Sequence, residues 1–103
     1  MNNVTIRTVP QFTIRLLDNS LAQSELPEVC YDADGIRLFA HKVGNRWNVS
    51  ESKTGVCVTQ QQPTKCCAIT TALELVPTTN IHLYVSKWIL ALGEELAWES
   101  DDE

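Results

Sequence analysis

The chain has 103 residues, of which 44% are apolar and 20% charged, and its net charge is −5. That is one domain's worth of chain, and no run approaches the roughly 18 to 20 apolar residues needed to span a bilayer. Residues 1–12 lack the basic start, apolar middle and small-residue cleavage site of a secretory leader, so the expectation is a soluble cytoplasmic protein without membrane contact.

Residues 1–29 read as an extended segment. Val4, Ile6 and Thr8 alternate up to Pro10, and Phe12, Ile14 and Leu16 alternate after it. Proline has no N–H to give to a ladder, so Pro10 marks a kink, an edge or a boundary between two short strands. Asp18-Asn19-Ser20 closes that run. Residues 21–29 are expected to form an irregular crossing or one helical turn stopped by Pro27, followed by a turn over residues 30–35 that ends in Asp34-Gly35.

Residues 35–60 carry the clearest pattern, three short alternating runs separated by turn signals. Ile36, Leu38 and Ala40 share one face with Lys42 at its end, while Arg37, Phe39, His41 and Val43 share the other. Gly44-Asn45 is a two-residue hairpin signal, and Trp47 and Val49 point inward from the second run. Lys53-Thr54-Gly55 closes a second hairpin, and residues 56–59 make a short third strand. Gln60, Gln61 and Gln62 read as a polar linker. The expected fold class is α+β: a three-stranded antiparallel meander, open to extension by N-terminal strands, packed against two C-terminal helices over residues 64–98.

The first helix opens at Pro63-Thr64 with Thr64 as its N-cap, buries Cys66, Ile69, Ala72, Leu73 and Val76, and ends at Pro77. Asn80 caps the second, expected to run from Ile81 to about Trp98. Ile81, Val85, Trp88, Ile89, Leu92 and Leu96 form one apolar stripe; Leu83, Tyr84, Leu90, Ala91, Ala97 and Trp98 populate much of the remaining surface. Two readings stay open. Either the helix is wedged between the sheet and the N-terminal strands, or its second apolar face carries a partner, most simply another copy of the chain as a homodimer. Residues 99–103 form an acidic tail.

Chemical motifs are scarce. The sequence holds no Gly-rich phosphate loop, nucleophile elbow, zinc-protease helix or calcium loop. Cys30, Cys57, Cys66 and Cys67 include no C-x-x-C pair, and neighbouring cysteines on a helix point about 100° apart. Free, mostly buried thiols are therefore expected, not zinc ligands or disulfides. His41 and His82 have no ligand at helical or hairpin spacing and are expected at the surface or half buried. Cys57 with His41 on a neighbouring strand is the one nucleophile pair to consider, and it lacks an orienting third group. Asp32, Asp34 and the tail carboxylates read as solvated. No catalytic residue, cofactor or metal is expected.

Charge separates the halves. Residues 1–60 hold six basic and six acidic side chains, whereas residues 61–103 hold Lys65 and Lys87 against seven acids. An acidic surface repels phosphate, which disfavours direct nucleic-acid binding there. The segment from Asn45-Arg46-Trp47 through Thr54-Gly55 to Thr64 and an Ala-containing helix resembles in plan the plant AP2-type and integrase amino-terminal domains. In those families a sheet reaches the DNA major groove with arginines and aromatic residues. Here Arg37, Lys42, Arg46 and Lys53 form no clustered patch, so the sheet face supports at most a weakly nucleic-acid-binding or transcription accessory role.

The string Trp47-Asn48-Val49-Ser50-Glu51, then Thr54-Gly55, then a helix bearing Ala68 and Ala72, is similar to small proteins of phages, prophages and plasmids. The resemblance covers residues 47–75. It implies a small non-enzymatic protein that occupies a partner's surface, as anti-CRISPR proteins do when they block a host nucleic-acid-handling complex. On that reading the partner is a host protein or ribonucleoprotein met in the host cytoplasm. The contact residues would be Tyr84, Glu94, Glu95, Trp98, Glu99, Asp101 and Asp102, an acidic and aromatic surface suited to a cationic groove.

Overall fold

The structure, a computed structural model, describes residues 12–78 and 80–93. In chain order these form β1 (Thr13–Arg15), β2 (Leu21–Gln23), β3 (Glu25–Ala33), β4 (Ile36–Val43), β5 (Arg46–Glu51), β6 (Cys57–Gln62), α1 (Lys65–Thr78) and α2 (Ile81–Leu92). The fold is α+β. Strands β1 and β2 make a two-stranded antiparallel sheet, and β3-β4-β5-β6 a four-stranded one in sequence order. Val4, Ile6, Thr8 and Pro10 lie outside the described residues.

The sheet thus has four strands where the sequence suggests three. The added strand is β3, which replaces the expected crossing and turn over residues 21–35. Its alternation is hidden by two register shifts, one between Glu25 and Glu28 and one between Val29 and Tyr31. Leu26, at φ +50, and Pro27 sit in the first of these. Proline and bulges are tolerated at an edge, where half the backbone groups face solvent, and they keep another chain from pairing there. The glutamines read as a linker also belong to a strand. Gln61 adopts φ +61 inside β6, and its N–H donates to Asn48 Oδ1 at 2.8 Å, so a bulge conceals the pairing of Gln62 with Trp47.

The hairpins at Gly44-Asn45 and over residues 53–55 form where expected, and Asp34-Gly35, expected only as a turn, joins β3 to β4 as a third. Asp34 and Gly35 both take positive φ, the geometry that matches strand twist in a two-residue turn, and Gly44 does so at the next. Residues opposite each other in an antiparallel pair share a face, so the register sorts the side chains. One face carries Ile36, Leu38, Ala40 and Val49, and α1 lies across β4, β5 and β6 upon it. Ala68 and Ala72 are fully buried there, small enough to let the helix approach, and Ile81 and Val85 of α2 complete the cluster.

Three details of the helices differ from expectation. Cys66 and Leu73 are exposed, because the buried stripe of α1 runs instead through Ala68, Ile69, Ala72 and Val76. Pro77 lies inside the last turn of α1, where the helix continues one residue further. In α2 the helix closes at Gly93 (φ +59), whose N–H donates to Ile89 O at 3.0 Å, rather than near Trp98. Both caps are as read: Thr64 Oγ1 accepts from Cys67 N–H at 3.1 Å and Asn80 Oδ1 from Leu83 N–H at 3.3 Å.

The opposite face of the sheet is covered too. Phe39, His41 and Ser50 are buried on it, and the Phe12 ring meets Phe39 edge-on at 5.2 Å. The β1–β2 hairpin is tied to the sheet through Arg15. Its N–H donates to Gly55 O at 2.7 Å and its Nε to Thr54 O at 2.9 Å.

Candidate interaction surface

The receiving end of that tie is the turn between β5 and β6, organised by a buried carboxylate. Glu51 is 1% exposed; Oε1 accepts from the Thr54 N–H and hydroxyl, both at 2.7 Å, and Oε2 from the Lys53 N–H at 2.9 Å. These bonds hold the Thr54 and Gly55 carbonyls where Arg15 reaches them. The sequence gives Glu51 no such prominence. Its signal is a carboxylate three residues ahead of Thr in a tight turn.

The β1–β2 loop is equally well held. Leu16 N–H donates to Ser20 O at 2.9 Å, Asn19 N–H to Leu16 O at 2.9 Å, and Arg15 Nη1 to Asn19 O at 2.8 Å. Asp18 Oδ1 accepts from the Ser20 hydroxyl at 2.6 Å and the Ser20 N–H at 2.9 Å, which lowers the Asp18 carboxyl below its ordinary value. With its polar groups bonded inward, the loop thrusts Leu17 fully into solvent and leaves Leu16 exposed. A hydrophobic side chain fixed in water by a rigid loop is costly to the isolated chain and useful to a complex.

Facing that loop is α2. The Tyr84 hydroxyl donates to Cys57 O on the edge strand β6 at 3.1 Å, which fixes the helix at the sheet's end; partial burial raises the phenol above its usual range. Arg15, Leu16, Leu17, Asn19, Val56, Cys57, Tyr84 and Trp88 line a groove of about 250 Å³ between loop and helix. Lys87, Trp88 and Ala91 line an adjoining hollow of about 290 Å³. Leu83 and Leu90, seven residues apart and so on one helical face, are 56% and 84% exposed. The stripe of α2 that seats the helix is Ile81 and Val85, with Ile89 beside them. These exposures favour a second apolar face on α2 over a helix wedged on all sides.

Among the residues expected to touch a partner, Tyr84 therefore sits in the groove, joined by Leu16, Leu17 and Trp88. Glu94, Glu95, Trp98, Glu99, Asp101 and Asp102 lie outside the described residues. The sequence places Leu16 and Leu17 only within the extended N-terminal segment. Their signal was the pair of leucines followed by Asp18-Asn19-Ser20, which puts one of them on the turn itself.

The nucleophile pair does not form. Strand β5 separates β4 from β6, and Ser50 stands between His41 and Cys57, its register partner. His41 Nε2 lies 2.8 Å from Ser50 Oγ instead. Burial pushes the Cys57 thiol up to about 11 and His41 down to about 4, so both are neutral near pH 7. His41 and Ser50 are each 1% exposed, which closes the pair to a substrate in this conformation. His41 is thus a core residue, not a surface one, and its burial follows from sitting beside Phe39 on the covered face. His82 is exposed.

The four thiols are free, but they divide differently from expectation: Cys30 and Cys57 are half buried, while Cys66 and Cys67 are exposed in the first turn of α1. Burial also raises the Cys30 thiol above its ordinary value. Iodoacetamide is expected to label Cys66 and Cys67 readily, and Cys30 and Cys57 only as the chain unfolds, as peptide mass spectrometry would show. Among the described residues no cluster of three or more His, Cys, Asp or Glu is placed to hold a metal, and no helix is long and apolar enough to cross a membrane.

Neither face of the four-stranded sheet is open across its centre. Leu38, Ala40 and Val49 are buried on one side, Phe39, His41 and Ser50 on the other. A sheet that reads nucleic acid needs an exposed face with cations and aromatic side chains, and that arrangement is absent from the described residues. Comparison with protein-family models, curated proteins and solved structures found no match.

Proposed function

We propose that this chain is a non-enzymatic protein-binding module that docks a partner on the apolar groove between the β1–β2 loop and α2. The observation that carries the reading is the rigid presentation of Leu17 and Leu16 opposite Tyr84 and Trp88, with Leu83 and Leu90 exposed on the outer side of the same helix. Interface anchors are commonly aromatic and aliphatic side chains held rigidly beside a pocket, because little entropy is then lost on binding. The specific role we assign is inhibition of a host nucleic-acid-handling complex, of the kind phages and other mobile elements encode. The net charge of −5 and the six acidic side chains among residues 94–103 support it, since an acidic segment suits a surface evolved for phosphate.

The test is affinity capture from nuclease-treated host extract, with the retained components identified by mass spectrometry. A protein that survives nuclease treatment is expected. Retention lost on nuclease treatment, together with tight, salt-sensitive binding of the purified chain to duplex DNA or RNA, would overturn the reading. Light scattering of the same purified sample tells whether a second copy of the chain occupies the face instead.

A further inference from the structure

The covered face of the sheet holds a titratable side chain in surroundings that accommodate only its neutral form. His41 is 1% exposed, its Nε2 is engaged with Ser50 Oγ, and its Nδ1 has no hydrogen-bond partner. The charged and titratable groups that the register places on this face are few. Asp32 and Arg37 are paired with each other at 3.2 Å, Arg46 is at the exposed start of β5, and Cys57 is a neutral thiol. From the hairpin comes Arg15, whose guanidinium is bonded to Thr54 O and Asn19 O. Among the described residues no carboxylate is placed to accept a proton-bearing Nδ1. An imidazolium here would bury a charge with half its donors unmet, which a folded protein avoids by opening to water.

The element best able to open is the β1–β2 hairpin. A two-stranded ribbon is marginal alone and depends on what it rests against. Here that support includes the pair of Arg15 bonds to the β5–β6 turn and the Phe12–Phe39 contact, and the Phe39 ring is itself 5.3 Å from His41.

We propose that the β1–β2 hairpin is an acid-released cover: protonation of His41 frees it from the sheet and removes the Leu16–Leu17 wall of the groove. Release is a property of the free chain and stands whether or not a partner docks in that groove. The sign follows from linkage. Uncovered, His41 takes its proton near its ordinary 6.5; covered, it does so only near 4. The cover is in place above pH 6.5 and is lost progressively as pH falls toward 4. The opening equilibrium rises about 20-fold between pH 7 and pH 5.

Amide hydrogen exchange by NMR, corrected for intrinsic rates, tests this on the isolated chain. Protection of the Thr13–Arg15 and Leu21–Gln23 amides is expected to fall about 20-fold from pH 7 to pH 5 relative to β4 and β5. The loss should vanish in His41→Gln. Should that variant fail to fold, the native His41 ring titration decides, since it must share its midpoint with the hairpin shifts and lie well below 6.5. Equal loss in all strands, pH-independent hairpin protection, loss retained in His41→Gln, or a His41 midpoint near 6.5 with an unmoved hairpin would each overturn the proposal.

Discussion

Replacing Glu51 by alanine is expected to lower stability by about 3 kcal/mol, measured as a fall in the urea midpoint with unchanged slope. The carboxylate takes three hydrogen bonds while nearly sealed from water, so its removal strands the Lys53 and Thr54 N–H groups and the Thr54 hydroxyl. Each abandoned buried donor costs about 1–3 kcal/mol, partly relieved if the turn opens to solvent. Glu51→Gln keeps one carbonyl acceptor and should lose about half as much. The effect should also reach the hairpin, because the turn presents the carbonyls that Arg15 grips. Faster amide exchange at Thr13–Arg15 than at β4 in Glu51→Ala would show that link; a uniform change in both would refute it.

Phe39→Ala is expected to cost more, about 3–5 kcal/mol. Phe39 is fully buried on the face opposite the helices and is the ring on which Phe12 rests. Truncation leaves a cavity between the sheet and its cover, and it removes the edge-to-face contact that seats the hairpin. Chemical denaturation measures the total. A loss below about 1 kcal/mol would mean that the far face is not packed as described. Phe39→Leu, which refills most of the space without the ring contact, should recover a large part of the stability but not the hairpin's full protection from exchange.

Much of this architecture was legible from residues. The β4–β5 hairpin followed from strict alternation and from Gly44, and both helix caps followed from side chains that accept a backbone N–H. Strand β3 was not legible, because Leu26 and Cys30 fall at its two register shifts and break the period of two on which a strand is recognised. The same effect hid the last residues of β6, where Gln61 is the bulge. Bulges are local departures from alternation, so pattern reading truncates a strand at each one. Cys66 was misplaced for a different reason. It lies about 100° around α1 from the centre of the stripe formed by Ala68, Ile69, Ala72 and Val76, as Leu73 does, and periodicity alone does not say which side of an apolar helix meets the sheet.

The interaction surface was half legible. The excess apolar character of α2 marked the helix, and Tyr84 came with it. Leu16 and Leu17 were missed because their exposure is a tertiary fact: alternation predicts burial for one of them, and only the internal hydrogen bonds of the 16–20 loop turn both outward. The buried histidine was missed because a lone His in a strand carries no sign of its depth until the opposite face is known to be covered.

The most direct measurement is the affinity of the captured partner for the native chain and for the Leu17→Ser, Leu90→Ser double variant. Both side chains are more than four-fifths exposed, so neither change should move the urea midpoint. The docking surface described here predicts binding weakened by about tenfold or more in the variant, the loss of a rigid apolar anchor. Equal affinity in a folded double variant would contradict it and move the interface away from the β1–β2 loop and α2.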